Sequence, residues 1–235
     1  LDNEVLIKTS TFTIHTALLV VEKIGFIPAD RCESHTNHGQ GTERTDLEGP
    51  FIINLLTQTS TPSLDTITLP EGEYCGIGMM LRKFDPMKMK HHLPKNHPVL
   101  NHSIYISGTL NDQIPFILTA DFNRPFLLFN ENQSLDVESF KDSLLEIGFD
   151  LGKWFDGITT AHIKRIPIHG TLTAVINKKN NFYIFRQIVK NIYESTSLFA
   201  DKNHNGKLDP EERQHHMGLA YGHFDENIDI EHDDE

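Results

Sequence analysis

The sequence is poor in the residues that carry most recognisable chemistry. It has two cysteines, Cys32 and Cys75, and one tryptophan, Trp154. The cysteines lie far apart, which excludes the close pair of a thiol oxidoreductase. No apolar run approaches the ~20 residues of a membrane-spanning helix. Positive charge is also scarce: 21 Lys and Arg face 33 Asp and Glu, a net charge of −12 with a pI near 5.6. That balance argues against nucleic acid and against anionic membrane surfaces as partners. There is no Gly-x-Ser-x-Gly elbow, no phosphate-binding glycine loop and no His-Glu-x-x-His. Enzymatic function is therefore the weaker reading. A hydrolase whose site is assembled from distant residues stays as an alternative.

One stretch does state its chemistry. In residues 201–212, Asp-Lys-Asn-His-Asn-Gly-Lys-Leu-Asp-Pro-Glu-Glu, oxygen side chains occupy positions 1 (Asp201), 3 (Asn203), 5 (Asn205), 9 (Asp209) and 12 (Glu212). Gly206 stands at position 6, Leu208 is the apolar residue at position 8, and Lys207 offers its backbone carbonyl at position 7. This is the order of an EF-hand calcium loop. Calcium takes about six to eight hard oxygens, and a short loop supplies them only if alternate side chains turn inward. Three charged ligands and no second loop point to weak binding, suited to a structural brace outside the cytosol. An acidic surface turn is the competing reading. The spacing predicts an amphipathic helix over about 181–199, from Phe182, Phe185, Val189, Ile192, Thr196 and Phe199, leading directly into the loop. A second helix is expected over about 210–221, carrying His215 and His216.

The remainder reads as β-structure. Alternation is visible at Phe12 and Ile14, and at Val20, Glu22, Ile24 and Phe26. Further strands fit 4–8, 51–56, 64–69, the run after Tyr74, and 102–110, 114–121, 124–129, 144–151 and 171–177. Turn residues such as Pro70 and Gly72 lie between them. The expected fold is mainly β, an antiparallel β-sandwich with a C-terminal helical EF-hand-like appendage. The expected organisation is a sandwich over 1–178, a helix–calcium loop–helix over 179–224 and an acidic tail over 225–235.

The long early strand, the Leu69-Pro-Glu-Gly-Glu-Tyr74 turn and the Asp150-Leu-Gly-Lys-Trp-Phe-Asp-Gly157 segment together resemble secreted bacterial β-sandwich lipoproteins. One branch of these is similar to the methanobactin-binding periplasmic copper proteins. The resemblance covers residues 4–177 and implies the sandwich fold, a cell-envelope address, periplasmic or extracellular, and an N-terminal lipid anchor. That branch has a tryptophan-rich segment after the Tyr strand, which this chain lacks, so no functional residue is carried over.

Copper has separate support in the residues themselves. Met79, Met80, Met87 and Met89 are four of the five methionines, and His91, His92, His97 and His102 follow. Thioethers suit Cu(I) and imidazoles Cu(II). Met87, Met89, His91 and His92 are the candidate ligands for copper or zinc, against a solvated basic loop as the plainer reading. Cys32, His35 and His38 could ligate a transition metal, but the favoured reading is a loop carrying a disulfide and two surface histidines. A Cys32–Cys75 disulfide would stabilise the fold by about 4 kcal/mol on a chain-entropy view; two buried thiols are the alternative. The expectation is an exported, non-catalytic cell-envelope binding protein braced by Ca²⁺, recognising a ligand or envelope protein through loops 29–50 and 83–101. A periplasmic copper or zinc protein is the second expectation.

Overall fold

The computed structural model describes residues 6–9, 11–29, 47–64, 73–87, 93–130, 135–136, 144–214 and 218–224. Among them are fourteen strands and one α-helix, joined in a single curled sheet. The strands are β1 (Ile7–Lys8), β2 (Phe12–Pro28), β3 (Leu47–Asn54), β4 (Thr59–Thr61), β5 (Glu73–Arg82), β6 (Ile104–Leu110) and β7 (Ile114–Ala120). They continue with β8 (Asn123–Phe129), β9 (Leu135–Asp136), β10 (Leu145–Phe149), β11 (Arg165–Ile168), β12 (Thr171–Ile176), β13 (Thr196–Ala200) and β14 (Ala220–Gly222). The helix, α1, is Phe182–Glu194.

β2 organises the rest. Leu18 and Leu19 pair with both β3 and β6, while Lys23 and Ile24 pair with both β3 and β5. A strand has two edges, so β5 and β6 must share one edge of β2, end to end, opposite β3. Two wings leave that edge: β6–β7–β12–β11 and β5–β8–β14–β13–β10. Only the β7–β12 contact is parallel among these pairs.

A strand of 17 residues can keep one face inward across both wings only by correcting its alternation. It does so twice, at bulges between Ile14 and Thr16 and between Val21 and Lys23. Each bulge shifts the side-chain phase by one. The core-facing set therefore runs Phe12, Ile14, then Ala17, Leu19, Val21, then Ile24, Phe26. The sequence pattern had put Val20 on the same face as Ile24 and Phe26. In the structure Val20 lies on the outer face with Leu18.

The inner core is sealed by α1 and by a 3-10 turn at Lys153–Phe155. Trp154 meets Phe149 edge-on at 6.1 Å, while its neighbour Phe155 stacks on Phe12 at 4.3 Å. One turn thus plugs both wings. Asn191 of α1 holds it, its amide donating to the carbonyls of Trp154 (3.0 Å) and Asp156 (2.9 Å). Tyr193 stacks on Phe126 at 4.2 Å, and burial pushes its hydroxyl up to about 12.

A smaller core covers the outer face of β2, where Leu18, Val20 and Ile52 meet Phe84 and Val99. The connection between β5 and β6 is thereby pinned near both of its ends. Phe84 also bridges Leu100 in strand-like fashion. Phe84→Ala should cost about 3–5 kcal/mol, the range for truncating a buried aromatic. Urea unfolding is the measurement, and a cost below about 1 kcal/mol would show that this outer core contributes nothing.

Candidate metal centre

The helix expected over 181–199 is divided. α1 ends at Glu194, with Ser195 as its C-cap, and the chain then becomes β13, all five of whose residues are buried. Thr196 and Phe199, read as part of the helical stripe, belong to that strand. Two β-branched or aromatic residues in an apolar run suit either period, and pairing with β10 and β14 decides for strand. The second helix, expected over 210–221, is also absent among the described residues. Residues 210–214 form turns, and β14 occupies 220–222; His215 and His216 lie outside the described residues. The loop is therefore not a helical appendage. It connects β13 and β14, which pair with each other through Ser197–Tyr221 and Leu198–Ala220.

The backbone order of the loop follows its residues. Gly206 takes a left-handed conformation (φ 81°), and His204 does so as well (φ 55°). A Cβ at Gly206 would touch nothing within 4 Å, so its requirement is conformational rather than spatial. The carboxylate of Asp201 accepts from the N–H of Gly206 (2.7 Å) and of Asn205 (3.2 Å). Asn203 accepts from the N–H of Asn205 (3.0 Å), and Asn205 from that of Lys207 (2.9 Å). Position 12 closes the ring: one oxygen of Glu212 accepts from the N–H of Lys202 (2.8 Å) and Asn203 (3.2 Å), the other from that of Asp209 (3.0 Å). Leu208 is buried and roots the loop in the protein.

Asp201 is 1% exposed and Glu212 8%. Among the described residues neither has a cationic side chain within ion-pair distance. Carboxylates are rarely buried without such a partner. Asp209 is half-buried, and the amides of Asn203 (3.0 Å) and Asn205 (2.8 Å) both donate to it. These two bonds, Asn203's first, hold the Asp209 carboxyl below the usual range.

The donor set is wholly oxygen, which suits a hard divalent ion and not a soft one. No three His, Cys, Asp or Glu side chains converge as a metal group among the described residues. In the loop the reason is visible. Its carboxylates are spread over backbone N–H donors, and the amide NH₂ groups face Asp209 where a ligating loop would present their oxygens. Turning each Asn amide through half a rotation exchanges NH₂ for a carbonyl oxygen. The carbonyl of Lys207 completes the set the sequence suggests.

Two latches tie the loop to the sheet that sequence reading did not find. The Asp201 N–H donates to the carbonyl of Leu144 at 3.0 Å, continuing the β10–β13 ladder. The Arg213 guanidinium reaches the Glu146 carboxylate at 3.0 Å. Both partners lie more than 50 residues away, and no local pattern could announce them.

Met79 is buried in the inner core, and Met87 is 92% exposed. Met89, His91 and His92 lie outside the described residues. The neighbouring His97 accepts from the Val99 N–H at 3.4 Å through Nδ1. Cys75 is disulfide-bonded, and among the described residues no cysteine is free. Cys32, the other cysteine of the sequence, lies outside the described residues, as do His35 and His38.

Burial lowers His97 and His102 below the usual imidazole value; at His102, Asp121 opposes the shift and Lys83 adds to it. The folded state then resists a proton that the unfolded chain accepts near pH 6.5. This contribution is fully present above pH 6.5 and drains away as pH falls through the depressed folded-state value. The melting temperature should therefore fall between pH 7 and pH 5, with a flatter profile in His102→Gln. An identical slope in the variant would exclude His102 as a source. No family model, no curated protein and no solved structure matches this chain.

Proposed function

We propose that the chain is a calcium-braced, non-catalytic binding protein of the cell envelope, periplasmic or extracellular. The observation that carries the calcium reading is the pair of nearly inaccessible carboxylates, Asp201 and Glu212, at the first and twelfth positions of a loop turned by Gly206. Little of either is open to water, and among the described residues no cationic side chain offsets them. A divalent ion would supply the missing positive charge, with Asp201, Asn203, Asn205, Asp209 and Glu212 giving side-chain oxygens and Lys207 its carbonyl. The chain's own part is to hold those oxygens near one another before the ion arrives, which reduces the ordering cost of binding.

The brace would act on the sheet rather than on a detached module. β13 is the sole partner of β10 along the strand order, and β14 links it to β8. An ion closing the loop between β13 and β14 would hold that wing together. The disulfide at Cys75 supports an oxidising compartment, where free calcium is also abundant. The expected ligand of the protein as a whole, a small molecule or an envelope protein, would be met by loops, for which the curled sheet serves as the frame.

Millimolar Ca²⁺ should raise the melting temperature over that in chelator. At 100-fold excess over the dissociation constant the stabilisation reaches about 2.7 kcal/mol. Glu212→Gln should abolish the calcium-dependent shift while far-ultraviolet dichroism still reports a folded sheet. An unchanged melting temperature in saturating calcium, with no binding by calorimetry, would end this reading. Gly206→Ala should cost about 1–2 kcal/mol from backbone strain alone, and Gly206→Asn less.

A further inference from the structure

The chain's scarce positive charge is concentrated. Residues 152–190 hold seven of the 21 lysines and arginines and a single acid, Asp156. Much of this charge meets at one residue. The Asn181 amide donates to the carbonyls of Lys164 (2.8 Å) and Val175 (2.7 Å), and its Oδ1 accepts from the Lys164 N–H (2.7 Å). The approach to β11, the end of β12 and the first turn of α1 are thereby fastened together. Lys164, Arg165 and Lys179 are exposed around this junction, and Arg186 is exposed one turn into α1. None of the four pairs with an acid among the described residues. Lys178 reaches Asp121 only at 3.9 Å. α1 has no acid in its first turn, and Tyr183 beside the junction is 85% exposed. Four unopposed cations around a bare aromatic, on a chain of net charge −12, form a surface fitted to an acidic segment with apolar residues in it.

We infer that residues 225–235 of this chain, Asp-Glu-Asn-Ile-Asp-Ile-Glu-His-Asp-Asp-Glu, are that segment and dock along the outer face of α1 onto the cationic junction. Seven of the eleven are acids, and Ile228 and Ile230 fall on one side of an extended chain, matching the ring of Tyr183. The point of departure is right. Phe224, the residue before them, meets Tyr193 edge-on at 5.8 Å, near the C-terminal end of α1. From there to the junction is one helix length, about 20 Å for 13 residues. Eleven extended residues reach about 36 Å, so the span is met with length to spare. The segment remains tethered, so even weak pairs act at high effective concentration. Docked, it covers a cationic face of this acidic protein.

The test is zero-length carbodiimide cross-linking of the full chain at low concentration, which joins carboxylates to amines in direct contact. Peptide mass spectrometry of the monomer should find residues 225–235 joined to Lys164, Lys179 or Lys190. The links should be lost at about 0.5 M salt, where screening acts within about 4 Å. They should also be lost in the Arg165→Glu, Arg186→Glu double variant, whose urea midpoint should stay unchanged because both side chains are exposed. Links spread equally to Lys23, Lys83 and Lys207 would overturn the inference. So would links found only in a covalent dimer, which would assign the face to a second copy, or links indifferent to charge reversal.

Discussion

The structure depends on a single strand being able to serve two wings. β2 offers β6 and β5 successive halves of one edge, and its inward face must stay apolar across the change. A straight strand of 17 residues cannot do this in a curled sheet, because accumulated twist and strict alternation would carry part of its apolar set outward. The two bulges answer that constraint, each resetting the phase where a neighbour changes. Where the reset occurs, Leu18 and Val20 face outward, and a second small core with Phe84 and Val99 covers them. The long connection from β5 to β6 is thus held against the sheet by the surplus apolar residues of β2.

This arrangement sets where the loop between β13 and β14 lies. The wing that leaves the second half of β2 runs through β5 and β8 to β14, β13 and β10. Its far strands are short, β13 is buried throughout, and the loop joins β13 to β14, its neighbour in the sheet. Asp201 is drawn into the interior because it continues a buried strand whose ladder it extends to Leu144. The burial of that carboxylate is a consequence of the sheet, and its need for positive charge follows from the burial.

Much of the β-pattern was legible in one dimension, because apolar residues alternate at Ile104 and Ile106, at Phe116 and Leu118, and at Phe126 and Leu128. The same rule failed at β2, where Val20 was placed on the wrong face; bulges leave no signature in an apolar run. β13 was absorbed into the helix since Thr196 and Phe199 continue the spacing of Phe182, Phe185, Val189 and Ile192. Only the partners on β10 and β14, distant in sequence, distinguish the two periods. The expected second helix was read from Asp209-Pro-Glu-Glu, a fair helix opening by capping rules. Here the Glu212 side chain instead closes back on Asp209 and Lys202, and the turn goes no further. The loop's turn at Gly206 was legible, being local, whereas its latches to Leu144 and Glu146 were not.

The two charged features of the molecule are opposite solutions to one problem. Acidic side chains outnumber basic ones over the whole chain, 33 against 21, so an acid brought inside meets few available cations. At the loop, the described structure answers with backbone N–H groups and two Asn amides, which are dipoles and neutralise nothing. At the junction around Asn181, the cations that might have served are exposed on another part of the fold, held there by β11, β12 and α1. Among the described residues, the buried carboxylates and the cationic face are each left without a side chain of opposite charge.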